Sequence, residues 1–72
     1  MTRLPRVSGW ECIRVLEKAG FYTVRQRKHV VLRRDDPFAE TVVPLHRELD
    51  RGTLRAIIRQ AGLSVEEFVE LL

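Results

Sequence analysis

One stretch of this sequence, Arg25 to Arg34, combines the residue types that phosphate chemistry uses. It holds one histidine, His29, among five basic side chains: Arg25, Arg27, Lys28, Arg33 and Arg34. Such a cluster repels itself unless a polyanion binds to it. Positive neighbours disfavour the protonated form of an imidazole, and only a neutral imidazole can act as a general base. The stretch therefore suits a phosphate-binding site in which His29 is a general base for RNA cleavage, with an exposed strand histidine that has no part in the chemistry as the alternative.

Length and composition limit the class of protein. The chain of 72 residues has room for one small domain, which we expect to span residues 1–72. At 44% hydrophobic and 32% charged, it has the composition of a globular protein rather than a disordered one. It contains neither an apolar run of transmembrane length nor the apolar core of a signal peptide. These features predict a cytoplasmic protein that does not bind membranes.

Metal and cofactor chemistry find little support in the residues. Cys12 is the only cysteine, so neither an internal disulfide nor a cysteine-based zinc site can form. The two histidines have no matching set of carboxylates at ligand spacing. The sequence also lacks a glycine-rich phosphate loop. We therefore expect no metal and no cofactor.

Charge is distributed unevenly along the chain. Residues 1–34 hold nine basic and two acidic side chains, a net charge of +7. Residues 35–72 hold four basic and eight acidic side chains, a net charge of −4. A basic pole of this kind is typical of nucleic-acid binding, with a solvated face that binds nothing as the alternative. The density of charge around His29 favours a polyanion partner.

A helix is predicted before the basic stretch. Ser8 and Glu11 have the spacing of a capping box, which predicts a helix from Gly9 to Ala19 that Gly20 ends. Its predicted apolar face consists of Trp10, Cys12, Ile13, Leu16 and Ala19. We interpret Trp10 as part of the core or its edge, with a base-stacking platform as the alternative.

Three short strands are predicted after this helix, at Phe21 to Arg27, His29 to Arg33 and Glu40 to Leu45. Pro44 cannot donate a hydrogen bond to a ladder, so the third strand should lie at a sheet edge or end there. Three consecutive strands predict an antiparallel meander with the second strand in the middle.

The second strand should have two different faces. Side chains alternate along a strand, so His29 and Arg33 share one face while Val30 and Leu32 share the other. We expect Val30 and Leu32 to face the core, which leaves His29 on the open face. The turn before His29 contains no glycine or asparagine, so it is not an ideal two-residue hairpin.

Two further helices are predicted in the C-terminal half. Apolar residues recur at helical spacing from near Arg51 to Ala61, and Gly62 ends the helix. Arg51, Arg55 and Arg59 stack on another face of it, and we consider Arg51 and Arg55 candidate RNA contacts. Ser64 opens a second capping box and a short terminal helix. The result is a two-layer α+β domain of order α-β-β-β-α plus a short C-terminal helix, the layout of the double-stranded RNA-binding domain.

Several stretches together resemble the HicA family of toxins from bacterial and archaeal toxin–antitoxin pairs. They are Leu4 to Gly9, Lys18 to Phe21, Val24 to Gln26, His29 to Leu32, Val42 to His46 and Arg51 to Ser64. The resemblance covers nearly the whole chain. Its most specific part is Gly52-Thr53-Leu54 followed by Gln60-Ala61-Gly62.

The resemblance implies a fold like the double-stranded RNA-binding domain, metal-independent cleavage of messenger RNA, and a HicB-like antitoxin that covers the active site. It places the catalytic histidine at His29. Family members often have Gly-Ser before that histidine, whereas this chain has Arg27-Lys28, and Lys28 offers a phosphate contact in place of a loop amide. Two alternatives remain: an RNA-binding module without catalysis, and a pure protein-interaction domain.

A DNA-binding helix-turn-helix is a further alternative, because Leu54 to Leu72 has the pattern of two helices joined by a short turn. The second helix would carry Glu66, Glu67 and Glu70, which would repel DNA phosphates. We interpret this segment as a structural helical hairpin.

His46 is interpreted as a local hydrogen-bonding residue, with contact to phosphate or antitoxin as the alternative.

Overall fold

The computed structural model describes residues 2–72. Its elements are α1 (Gly9–Lys18), β1 (Tyr22–Gln26), β2 (His29–Asp35), β3 (Phe38–Pro44), α2 (Arg51–Gln60) and α3 (Val65–Glu70). The strands form one antiparallel sheet in the order β1-β2-β3. The predicted α+β class, the order of elements and the central place of β2 are confirmed. β3 is an edge strand that ends at Pro44, as the missing N–H of proline requires.

Local signals set the ends of the helices. Ser8 and Glu11 form the predicted capping box, and Ser64 and Glu67 form the second one. Gly20 has a φ of 96°, a left-handed conformation that ends α1 without the strain a side chain would bring. Asp50 caps α2, where its carboxylate accepts a hydrogen bond from the backbone N–H of Thr53 at 2.7 Å. That bond lowers the pKa of Asp50.

A single core lies between the sheet and the helices. The sheet contributes Val30, Leu32, Thr41 and Val43, and the helices contribute Cys12, Val15, Leu16, Leu54, Ile57, Ile58 and Phe68. Burial raises the pKa of the Cys12 thiol to about 12. The hydroxyl of Thr41 is buried, and it donates to Oε1 of Gln60 at 2.7 Å. Because these residues come from both layers, the helices cover one face of the sheet and leave the other open.

The predicted apolar face of α1 is wrong at two positions, because it includes Trp10 and omits Val15. Trp10 is 53% exposed and lies outside the core, whereas Val15 is 1% exposed and lies within it. Trp10 precedes Cys12 by two residues, which is about 200° around a helix. Its indole therefore points away from the side that Cys12 and Leu16 bury.

Two hairpin turns connect the strands. Asp36 and Pro37 form the second turn, and Asp35 and Phe38 already pair across it, so β2 and β3 extend further toward this turn than predicted. The first turn consists of Arg27 and Lys28. No non-glycine residue among residues 2–72 has a positive φ, so this turn is not of the type I′ that commonly joins two strands.

Candidate active site

The open face of the sheet carries His29. Val30 and Leu32 are 1% and 0% exposed on the helix side, whereas His29 is exposed and Val31 and Arg33 are half-buried. The predicted orientation of β2 is therefore confirmed. His29 is the first residue of its strand and pairs with Pro44, the last residue of β3.

A β-bulge in β1 brings Arg25 to the same face. The register moves by one residue between Thr23 and Arg25, which leaves Val24 without a partner and pairs Arg25 with Val31. Opposite residues of an antiparallel pair point to the same side, so Arg25 shares the face of Val31 and His29. Without the bulge, regular alternation would turn Arg25 toward the helices.

A concavity of about 550 Å³ forms around His29, and Arg25, Arg27, Lys28, His29 and Val31 line it. All three basic side chains are exposed. Within residues 2–72 the only ion pair is the one between Arg33 and Glu40, so no carboxylate of the described chain neutralises them. The site thus gathers three cations and an imidazole that are free to contact an external anion.

Backbone hydrogen bonds hold the turn that precedes His29. The N–H of Arg27 donates to the carbonyl of His29 at 3.1 Å, and the N–H of Leu45 donates to the carbonyl of Lys28 at 3.2 Å. The second bond ties the turn to the chain that leaves β3. The Arg27-Lys28 turn is therefore anchored to β2 and to the chain that follows β3.

Arg33 lies on the open face but belongs to a separate group of polar side chains. Its Nε and Nη2 donate to Oε2 of Glu40 at 3.0 and 2.8 Å. Tyr22, which is opposite Arg33, donates its hydroxyl to Oδ1 of Asp35 at 2.7 Å, and this bond raises the pKa of Tyr22. Arg33 is thus partly neutralised, and it does not line the concavity around His29.

Arg34 lies on the opposite face and holds the fold together. Its guanidinium donates to the carbonyl oxygens of Pro37, Ala61 and Ala19 at 3.0, 3.2 and 3.5 Å. It also stands 4.8 Å from the centroid of the Phe21 ring. Ala19 and Ala61 end α1 and α2, where the partial negative charge of a helix favours a cation. We therefore assign Arg34 a structural role in place of the predicted RNA contact.

Arg51 and Arg55 lie on the helical layer rather than on the open face of the sheet. Both are exposed on α2, and they line a separate concavity of about 490 Å³ together with Arg3 and Glu66. The sheet separates this concavity from His29. The structure therefore does not bring the two predicted RNA contacts of α2 together with the basic cluster of the hairpin.

His46 is exposed in the connection after β3, and its carbonyl accepts a hydrogen bond from the N–H of Gly9 at 2.9 Å. It does not line the concavity around His29.

In the part of the chain that is described, no three histidine, cysteine or acidic side chains are grouped to hold a metal ion. None of the helices of residues 2–72 has the length and apolarity to cross a bilayer.

Comparison with models of known protein families shows to which family the chain belongs. The family model described as the HicA toxin of bacterial toxin–antitoxin systems matches residues 9–63. The chain belongs to the HicA family. The match runs from the start of α1 past the end of α2 and includes the whole hairpin that carries His29. A search of curated proteins found no match.

Membership of the HicA family makes this chain a toxin-family member and weakens the helix-turn-helix alternative. The structure adds a second reason, because α3 has only six residues and its acidic residues Glu66, Glu67 and Glu70 are all exposed. Phe68 is fully buried and Leu71 packs against the core. The C-terminal helix therefore closes one end of the hydrophobic core.

Proposed function

We propose that this HicA-family chain is an endoribonuclease that cleaves messenger RNA without a metal ion, with His29 as the general base. The concavity around His29 is the observation that carries the proposal. It combines an exposed imidazole with Arg25, Arg27 and Lys28, whose charges have no carboxylate partner within residues 2–72. A messenger RNA supplies both the phosphates that these cations bind and the nucleophile.

The reaction needs little from the protein because RNA carries its own nucleophile. The imidazole of His29 accepts the proton of a 2′-hydroxyl, and the 2′-oxygen attacks the adjacent phosphorus. The bond from phosphorus to the 5′-oxygen breaks, and water protonates the leaving oxygen. The products are a 2′,3′-cyclic phosphate and a 5′-hydroxyl. Cations at Arg25, Arg27 and Lys28 stabilise the charge that builds up on the phosphoryl oxygens.

A HicB-like antitoxin is the proposed protein partner, and the cytoplasm is the proposed site of action. Toxins of this family occur in toxin–antitoxin systems. A ribonuclease in such a system would have to be inhibited by a bound antitoxin until the antitoxin releases it. The concavity around His29 is open to solvent on the uncovered face of the sheet. A partner that covers that face would block the cleavage of RNA.

The test compares the wild-type chain with His29→Ala on a structured messenger RNA in the presence of EDTA. We expect cleavage by the wild type, products with cyclic phosphate ends, and a loss of at least about a hundredfold in His29→Ala, the usual scale for a general base. His46→Ala is the matched control, since it removes the other histidine and lies outside the concavity. Circular dichroism verifies that each variant is folded.

Different failures of this test have different meanings. Equal cleavage by the wild type and His29→Ala would contradict the assignment of the base. Cleavage that EDTA abolishes would contradict the metal-independent reaction. Binding without cleavage by the wild type would leave the chain as an RNA-binding module.

A further inference from the structure

The open face of the sheet is divided into rows by its strand register. Residues that pair across the strands point to the same side, so the register gives the neighbours of each residue on this face. Starting from the active-site end, the rows are His29 with Pro44; Arg25 with Val31 and Val42; Tyr22 with Arg33 and Glu40; and Asp35 with Phe38. Successive rows are two residues apart along β2, a distance of about 6.6 Å.

The chemistry of the face changes from one end to the other. Unpaired basic charge is confined to the end at His29 and to Arg25 in the next row, where the apolar Val31 and Val42 begin. The rows beyond carry Tyr22, the ion pair of Arg33 with Glu40, Asp35 and Phe38. Tyr22 is 43% exposed, Val42 47% and Phe38 69%, although none of them is needed to complete the core. The carboxylates of Asp35 and Glu40 are also on this side.

This arrangement does not suit a double-stranded RNA. A duplex presents two sugar–phosphate backbones to a flat surface and keeps its bases stacked inside. The second backbone would lie against the exposed apolar side chains, where Arg33 is already paired with Glu40 and the carboxylate of Asp35 repels phosphate. Unpaired bases have the opposite preference, because they gain from contact with aromatic and apolar side chains.

We propose that the open face binds an unpaired RNA strand along the rows, with a phosphate at His29, one base over Val31 and Val42, and the next base on the ring of Tyr22. This inference rests on the proposed function and names the form of the substrate. The hydrogen bond from Tyr22 to Asp35 fixes the phenol and leaves its ring available for stacking. Tyr22 and Val42 are then base-contacting residues, and Arg25, in the same row as Val42, contacts the backbone next to the reacting phosphate.

The test measures binding by fluorescence anisotropy with the full chain carrying His29→Ala, so that no RNA is cleaved. One probe is a labelled single-stranded oligoribonucleotide, and the other is the same strand annealed to its complement. We expect tighter binding to the single strand, by about tenfold or more. Adding Tyr22→Ala should weaken binding to the single strand by about tenfold, the scale of one stack between a base and an aromatic ring.

Two controls separate stacking from structural effects. Tyr22→Phe keeps the ring but loses the bond to Asp35, so it should lose clearly less affinity than Tyr22→Ala. Equal losses in the two variants would overturn the stacking role. Trp10→Ala removes another exposed aromatic side chain, on the outer side of α1, and should leave RNA binding unchanged. A loss in Trp10→Ala as large as that in Tyr22→Ala would show that the open face is not the specific site.

The outcomes distinguish this inference from the proposed function. Tyr22-dependent binding of single strands would support the inference even if the wild type did not cleave RNA. Equal affinity for the duplex would overturn the inference even if the wild type did cleave. A Tyr22→Ala variant that loses only its antitoxin partner, with RNA binding unchanged, would assign the face to a protein and also overturn it.

Discussion

Individual residues around His29 differ in what neutralises them. Arg33 has Glu40 as an ion-pair partner, and Arg34 donates hydrogen bonds to three carbonyl oxygens. Both guanidinium groups are therefore less free than that of Arg25 to bind phosphate. Arg25, Arg27 and Lys28 line the concavity and lack a carboxylate partner in the described chain. Five basic residues of one stretch thus divide into three with a proposed role in binding and two with roles inside the molecule.

At the residue scale we predict that Arg25→Ala weakens RNA binding and reduces its salt dependence. Loss of one phosphate contact on a single strand should flatten the slope of log K against log salt by about 0.7. Anisotropy titrations over about 50 to 200 mM salt, on the His29→Ala background, measure this slope. Arg59→Ala is the control, because it removes the same charge from the exposed side of α2. Equal slopes for the two variants would mean that only net charge matters.

At the scale of elements, Arg34 links three segments that are distant in the sequence. It joins the end of α1, the end of α2 and the hairpin turn between β2 and β3. The glycines that end both helices have positive φ angles and lie beside Arg34, where a Cβ would be at ordinary contact distance, 3.5 Å from its Cδ at Gly20 and 3.6 Å from its Nη2 at Gly62. One side chain therefore fixes both helices against the sheet.

We predict that Arg34→Ala lowers the free energy of unfolding by about 2–3 kcal/mol, since hydrogen bonds from a charged donor contribute about 1.5–3 kcal/mol and the contact with Phe21 adds to them. Urea denaturation measures the change, and Arg59→Ala should stay within about 0.5 kcal/mol of the wild type. At low temperature, where Arg34→Ala is folded, the slope of log K for RNA binding against log salt should match that of the parent. A reduced slope would show that Arg34 contacts phosphate after all.

At the scale of the whole molecule, the active-site end of the sheet depends on the docking of α1. Gly9 packs so closely against β3 that a Cβ there would collide with the carbonyl oxygen of Pro44. Pro44 pairs with His29, and the N–H of Gly9 donates to the carbonyl of His46. The start of α1 therefore abuts the strand end that supports His29.

We predict that Gly9→Ala destabilises the protein by about 1–3 kcal/mol, the usual cost of overpacking, and reduces RNA cleavage as well. Gly52→Ala is the matched control, because its Cβ would meet only Oδ1 of Asp50 at 3.6 Å and alanine favours a helix by about 0.8–1 kcal/mol. Thermal unfolding and a cleavage assay on both variants measure the two effects. A Gly9→Ala variant as stable as Gly52→Ala would contradict the close docking.

Features encoded in a few neighbouring residues were predictable from the sequence. The capping boxes at Ser8 and Ser64, the glycines at 20 and 62, and the alternation that exposes His29 all follow from spacing over two to four residues. They determined the order of elements and the face on which His29 lies. The physical reason is that hydrogen bonds at helix ends and the two-residue period of a strand are local properties.

Other features depended on contacts between distant segments, and the tertiary structure decided them. The bulge at Val24, which places Arg25 beside His29, arises from the pairing of β1 with β2. The separation of Arg34 from the basic cluster depends on two helix ends whose carbonyl oxygens both accept hydrogen bonds from its guanidinium. The sequence by itself determined which residues form the basic cluster and which face carries His29. Only the tertiary structure decided which members of the cluster surround that histidine, because pairing register and helix docking are set by residues far apart in the chain.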